Sequence, residues 1–406
     1  MYTDAVESLK VEPLTERDSW LTTFVKAEKI CLWKKPDPAP RVIQPRSPRY
    51  NVELGCYLRH IEHRCFDNIH KLFTRDFPQN YKGATVFKGM DADVGGQVMA
   101  NIWAEFDHPI AIGMDASRFD QHVSKDILEW EHSIYTSLYS GEPSLPFLRQ
   151  LLRWQVQNRG IARCPSGTIK YTVEGCRMSG DMNTSLGNCI IMCGMIWTMM
   201  REIGITKYRL ANNGDDCVLF VERGNVDKIM SAVPGYFMSL GFNMAVEEPV
   251  DCLERVEFCQ TNPIFVGGSY RLVRTLTSLT KDSYSLKQLQ HTAVARDWLS
   301  AVGTGGVSLN SGVPVMQAHY LRYPTNGCKD VISSQGVGMF EYKFRSNRPS
   351  IASEITAESR YSYYLATGLT PDEQVALERT FLPLTVERWD GCVVQPTNLV
   401  CASRVR

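Results

Sequence analysis

The sequence predicts an α+β protein in which a small antiparallel sheet is backed by helices and followed by a largely helical C-terminal region. Three observations carry this. Residues 110–115 form a short apolar run ending in a carboxylate, Asp115. Two further β-type runs, 208–211 and 217–221, flank the segment 212–216, whose Asn213-Gly214 pair is a strong hairpin signal. Between these lies 184–200, whose apolar residues read as one buried helix.

Composition bounds the alternatives. The 406 residues are 44% hydrophobic and 22% charged, enough apolar material for a core and too much for a disordered chain. As a length prior, that suggests two or three domains. Lys+Arg and Asp+Glu are both 44, so no global positive field draws the whole chain to nucleic acid, and any such surface is local. Thirteen cysteines without a CxxC pair favour neither a disulfide framework nor a zinc ribbon and suit a reducing compartment. Residues 1–10 lack the pattern of a signal peptide, and the longest apolar run, 189–200, falls short of the roughly twenty residues a bilayer needs. Neither repeats nor low-complexity tracts are present.

In chain order, residues 26–49 are basic, with seven Lys/Arg (Lys26, Lys29, Lys34, Lys35, Arg41, Arg46, Arg49) against Glu28 and Asp37. Five prolines (36, 38, 40, 45, 48) predict an exposed, extended and looping segment. Residues 52–73 have a helical pattern carrying Cys56, His60, His63 and Cys65. Cys65 points about 140° away from His60 on that helix, so packing is the better reading than zinc. Residues 125–160 read as helical, with Trp130, Leu138, Leu148 and Trp154 as core candidates. A short β signal at 171–173 precedes a turn at Ser179-Gly180. Beyond 260 the charge is mildly basic, fifteen Lys/Arg against eleven Asp/Glu. A helix is expected over 286–299, ended by glycines after Val302, and Gly303, Gly305 and Gly306 read as a flexible loop. Thr370, Pro371 and Glu373 start another helix with a capping box.

Taken alone, an Asp-Asp hairpin tip is most often a charged surface turn, and Thr184 with Asn188 are ordinary helix-start residues. The ordered conjunction of 115–120, 179–188 and 214–216 is specific. It resembles the palm of viral RNA-dependent RNA polymerases, and the wording of 174–188 is most similar to replicases of the tombusvirus group and its carmovirus- and umbravirus-like relatives. The resemblance covers about 26–260. It implies a right-hand polymerase fold: fingers at 1–106 and 126–170, a palm at 107–125 and 171–260, and a largely helical thumb at 261–406.

It also implies RNA-templated RNA synthesis from ribonucleoside triphosphates for a positive-strand RNA virus. Asp115, Asp215 and Asp216 would be catalytic carboxylates holding two Mg²⁺ ions, with Mn²⁺ as a substitute. Two carboxylates about 4 Å apart repel by roughly 1–4 kcal/mol, so such a cluster calls for a cation. The resemblance gives Asp120 and Asn188 the reading of the ribose 2′-hydroxyl. Thr184 shares a helix face with Asn188, and the Ser179-Gly180 loop lies against template or nascent pair. Lys26 and Arg41, with Arg49 as a weaker match, fall on the basic motif that meets the triphosphate. Phe258, Cys259 and Gln260 resemble the primer-grip turn. The stretch 241–248 has no lysine or histidine where many polymerases place a general acid.

About twenty-five residues precede the basic motif, fewer than in related enzymes. This leaves open whether the chain is one reading frame or a fragment of a longer readthrough or frameshift product. Expected partners are RNA template and product, another viral replicase protein and host membrane factors, at membrane-associated replication complexes in the host cytoplasm. The rival readings are reverse transcription, disfavoured by Asp120 and by Asn213-Gly214, and a catalytically silent RNA-binding scaffold.

Overall fold

The computed structural model describes residues 1–29, 37–74, 84–286, 289, 291–325, 327, 350–383, 386–389 and 392–394. Lys34 and Lys35 of the basic segment and part of the expected 286–299 helix lie outside them. Two compact units result: one comprises 1–26, 40–88 and 106–249, the other 27–39, 89–105 and 250–406.

In the first unit, α1 (Tyr2–Val11) leads into β1 (Leu21–Val25), β2 (Val42–Ile43), α2 (Pro48–Asn68) and α3 (His70–Thr74). The second unit claims α4 (Ala92–Trp103). The first then continues with β3 (Pro109–Ala116), α5 (Phe119–His122), α6 (Lys125–Leu138), α7 (Leu145–Val156), β4 (Gln157–Cys164) and β5 (Gly167–Glu174). It closes with α8 (Thr184–Glu202), β6 (Tyr208–Asn212), β7 (Asp216–Glu222), α9 (Val226–Ser239) and β8 (Met244–Val246).

The sheet that positions the acidic residues has the order β6-β7-β3-β8, antiparallel throughout. Alternation along β3 sends Ile110, Ile112 and Met114 into the core. There they join Cys217, Leu219 and Val221 of β7. The helices α8 and α9 contribute to the same core, with Cys193, Ile196 and Val233 fully buried. Each such side chain contributes about 1.5–3 kcal/mol through burial, which ties the strands firmly to the helices behind them.

A second sheet, β2-β1-β4-β5, takes Val42 and Ile43 of the basic segment as its edge strand β2. The predicted helix over 125–160 is two helices, α6 and α7, interrupted after Leu138; the second ends at Val156, where the chain turns into the β4–β5 hairpin. Leu148 is buried as expected and Trp154 packs partly against the core, but Trp130 and Leu138 are exposed. Of the described part of the basic segment, Val42 and Ile43 form β2, and the helix that follows starts after Ser47. That residue caps α2 through its side chain, so Pro48 and Arg49 belong to the first helical turn. Nor is it exposed throughout: Arg46 is buried.

The second unit continues with the hairpin β9 (Thr261–Val266) and β10 (Ser269–Arg274), closed by Gly267 and Gly268, both at positive φ. Helix α4 lies against β10, where a Cβ at Gly96 would sit 2.5 Å from the Arg271 backbone. After α10 (Thr277–Asp282) come α11 (Thr292–Asn310) and α12 (Met316–Leu321). The glycines expected to end a helix lie inside α11. Their role is contact: a Cβ at Gly306 would meet the Tyr320 ring at 2.0 Å, and one at Gly303 the Tyr323 Cβ at 2.4 Å. Tertiary packing thus overrides their low helix propensity. The helix Pro371–Phe381 starts as predicted, with the Thr370–Glu373 capping box formed. Among the described residues, no helix is long and apolar enough to cross a membrane.

Candidate active site

The acidic cluster is built by strand register. Asp115 is the Cα partner of Asp216 across β3–β7 and of Ala245 across β3–β8. Directly opposed residues share a face with Cβ atoms about 4.5–5.5 Å apart, so Asp115 and Asp216 project together. Asp215 lies one residue earlier, in the connecting turn. There Gly214 adopts φ +101°, and the buried Asn212 side chain clamps the backbone: its Nδ2 donates to the Gly214 carbonyl at 2.7 Å, and its Oδ1 accepts from Gly214 N–H at 3.2 Å. Asp115 and Asp215 are exposed and Asp216 half-buried. The thiol of Cys217 is pushed well above its usual value by burial and then by the charges of Asp216, Asp215 and Asp115.

Among the described residues, no three His, Cys, Asp or Glu side chains are gathered tightly enough to form a metal cage by themselves. The donor set still fits magnesium. That ion is commonly held by one or two carboxylates, with water and substrate phosphate completing its octahedron.

Beside the acids lies a buried polar layer. Asp120, on the short helix α5, accepts from Asn188 Nδ2 at 2.8 Å. Asn188 in turn accepts from Arg177 Nε at 3.2 Å. The backbone joins the same segments, Arg177 N–H donating to the Asp120 carbonyl at 2.8 Å. Burial raises the pKa of Asp120; bonds from Asn188 and Ser179 and the charge of Arg177 oppose the rise, and Asp215 adds to it. Thr184 occupies the first turn of α8, but its hydroxyl donates to the Met178 carbonyl at 3.1 Å.

The 178–181 loop is tied to the basic segment. The Ser179 carbonyl accepts from Gln44 N–H at 2.7 Å. Gly180, at φ +123°, packs so closely that a Cβ would stand 3.1 Å from Pro45 N. Arg46 forms a buried ion pair with Asp181 at 2.5 Å and donates to the Ser19 carbonyl and Asn158. Three residues before Gln44, Arg41 accepts at its carbonyl from Lys26 N–H at 2.8 Å, and both side chains are exposed. Arg49 is placed elsewhere. It binds Asp18 at 3.0 Å, Ser8 Oγ at 2.7 Å and the Glu12 carbonyl at 2.9 Å, pinning the N-terminal helix.

In the second unit, Phe258 and Thr261 exchange backbone hydrogen bonds at 2.9 and 3.0 Å around Cys259 and Gln260, whose φ angles are +53° and +60°. Phe258 is buried, and Gln260 is held by Thr275 N–H on its carbonyl and Lys281 Nζ on its side chain, both at 3.0 Å.

With this geometry in place, the chain matches the family described as viral RNA dependent RNA polymerase over residues 1–389. It belongs to that family. It is 48% identical over 405 residues to the RNA-directed RNA polymerase of Tobacco necrosis virus (strain D), covering 98% of this chain and 55% of that protein. For Tomato bushy stunt virus (strain Cherry) the figures are 46% over 390 residues, 96% and 45%; for Turnip crinkle virus, 43% over 403 residues, 96% and 49%. The chain thus spans about half the length of the curated relatives it matches, all of them from tombus- and carmovirus-like plant viruses. This polymerase family uses divalent metal ions.

Several residues around the polymerase motifs escaped sequence reasoning. Arg177 lies inside the diagnostic 174–188 wording yet attracts no notice as an isolated arginine. Its partner Glu131, on α6, carries no local signal at all. Glu247 N–H bonds the Gly113 carbonyl at 2.9 Å, and its carboxylate fills the space where a Gly113 Cβ would stand. Gly113 shares its face of β3 with Asp115, so the glycine makes room for a further acid on that face.

Proposed function

We propose that this chain catalyses template-directed RNA synthesis from ribonucleoside triphosphates, replicating a positive-strand RNA virus genome. The observation that supports this most is the pairing of Asp115 with Asp216, which sets two carboxylates on one face of a strand end, with Asp215 one residue away in the turn and the Asp120–Asn188 pair nearby. On this reading 107–125 and 171–260 form a palm, 1–106 and 126–170 fingers, and 261–406 a thumb.

Asp115, Asp215 and Asp216 would hold two Mg²⁺ ions, or Mn²⁺. Bound there, the ions supply Lewis-acid stabilisation of the attacking and leaving oxygens. Lys26 and Arg41 neutralise the triphosphate, the arginine through bidentate contacts, and Arg49 acts behind them through its clasp on the N-terminal helix. Asp120 and Asn188 read the 2′-hydroxyl, with Thr184 fixing the start of α8. Ser179 and Gly180 line the nascent pair, while Phe258, Cys259 and Gln260 cushion the primer end. Further partners would be a second viral replicase protein and host membrane factors that recruit the complex to cytoplasmic membranes.

The deciding experiment is template-dependent incorporation of labelled ribonucleotides with Mg²⁺ or Mn²⁺. Asp215→Ala is expected to lower the rate by about a thousandfold or more while the fold survives, because the side chain is exposed. RNA binding without incorporation by the unaltered chain would instead favour a silent scaffold. In the same assay, Asp120→Ala or Asn188→Ala is expected to reduce ribo- over deoxyribonucleotide preference by roughly 1–3 kcal/mol. An unchanged preference in both removes the sugar-reading role.

A further inference from the structure

An asparagine amide has a donor end and an acceptor end of nearly equal shape, so a site that relies on one must fix which end faces the substrate. Here Asn188 stands between two fixed groups. Arg177 has only donors, so the atom facing its Nε at 3.2 Å is the amide oxygen. The nitrogen therefore faces Asp120 Oδ1 at 2.8 Å, a bond that uses one of its two N–H donors.

Arg177 is itself immobilised. Its side chain and that of Glu131 are wholly buried and form an ion pair. Glu131 Oε1 also accepts from Tyr135 OH at 2.6 Å and Asn183 Nδ2 at 3.0 Å, and Asn183 accepts from Gln155 at 2.7 Å. The pair lies against α8 where residue 187 is glycine; a Cβ there would come within 2.3 Å of both Arg177 and Glu131.

We propose that Arg177 is a specificity-determining positioning residue for the sugar: it locks the Asn188 amide so that an incoming ribose 2′-hydroxyl donates to Asp120 and accepts from Asn188 Nδ2, and Glu131 holds Arg177 in place. This deepens the polymerase reading above and rests on it. With the amide reversed, its oxygen would oppose the Asp120 carboxylate, and the hydroxyl would meet two acceptors and no donor. A deoxyribose offers neither bond, so the lock matters for one sugar and not the other.

The test compares incorporation of ATP and dATP by the full chain on an RNA template. In Arg177→Lys a single ammonium keeps the charge beside Glu131 but loses the second arm of the fork. The ratio of kcat/KM for ATP over dATP is expected to fall about tenfold, with dATP use nearly unchanged. Should that variant fold poorly, E131Q/R177Q removes both buried charges together. It leaves at 177 an amide free to present either end, and the same fall is expected. Equal losses on both sugars, the mark of a purely structural arginine, or a ratio within about twofold of the unaltered chain in a folded variant, would overturn the assignment. Absence of all incorporation by the unaltered chain would strike the polymerase reading itself. A lower ratio in Asn188→Ala but not in either Arg177 variant would sink this inference alone.

Discussion

The turn at 213–216 and the turn at 258–261 each reverse antiparallel backbone in a few residues, yet they reach positive φ by different means. The first places Gly214 at +101°, where the absence of a Cβ removes the steric penalty, and braces it with the Asn212 side chain. The second places Cys259 and Gln260 at +53° and +60°, positions that ordinary two-residue hairpins give to Asn and Gly. Each non-glycine residue there costs about 1 kcal/mol or more. That cost is met from outside the turn: by the buried Phe258, by the paired bonds to Thr261, and by Thr275 and Lys281 on Gln260. The acidic turn is shaped by its own residues; the other is held by its surroundings.

Three variants break or sharpen this contrast. The largest effect is expected from Asn212→Ala, which strips the two bonds that a fully buried side chain makes to the turn and leaves the Gly214 carbonyl without that donor. A loss of about 2–3 kcal/mol in denaturant unfolding, accompanied by weaker RNA synthesis, is expected. Unaltered stability would mean the turn holds itself without the brace. Gly214→Ala follows, at about 1–2 kcal/mol, because alanine is strained at that φ. The smallest effect is the reverse in sign. The double change C259N/Q260G should raise stability by about 0.5–1 kcal/mol, read as a higher Tm. If the strained shape serves the primer end, primed synthesis should fall even as Tm rises; activity rising with stability would count against that role.

The same contrast explains what was legible in the sequence. Elements whose cause is local could be read directly: the 208–222 hairpin with its Asn-Gly tip, the β3 run ending at Asp115, the apolar α8, and the Thr370–Glu373 capping box. Features created by distant partners could not. The glycines of α11 read as a breaker because the rings of Tyr320 and Tyr323 that require them lie elsewhere in the chain. The β4–β5 hairpin carries mostly exposed and half-exposed residues, including Arg159, Arg163 and Lys170, so beyond the short β signal at 171–173 no apolar alternation announced it. In the site, the ordered motifs pointed to the acids and to Asp120 and Asn188, which the fold brings into hydrogen-bond contact. The Arg177–Glu131 and Arg46–Asp181 pairs join positions 46 and 135 residues apart, and only folding reveals that each arginine has a buried carboxylate to meet.

One neighbour of the acids has a consequence for how the site withstands chemical attack. A sulfur atom next to a reaction centre is an obvious target for oxidants and alkylating electrophiles, which act on the thiolate. Cys217 is wholly enclosed, and burial together with the negative strand end keeps its proton in place far beyond neutral pH. Burial and the carboxylates at this strand end therefore act together to passivate the sulfur beneath them.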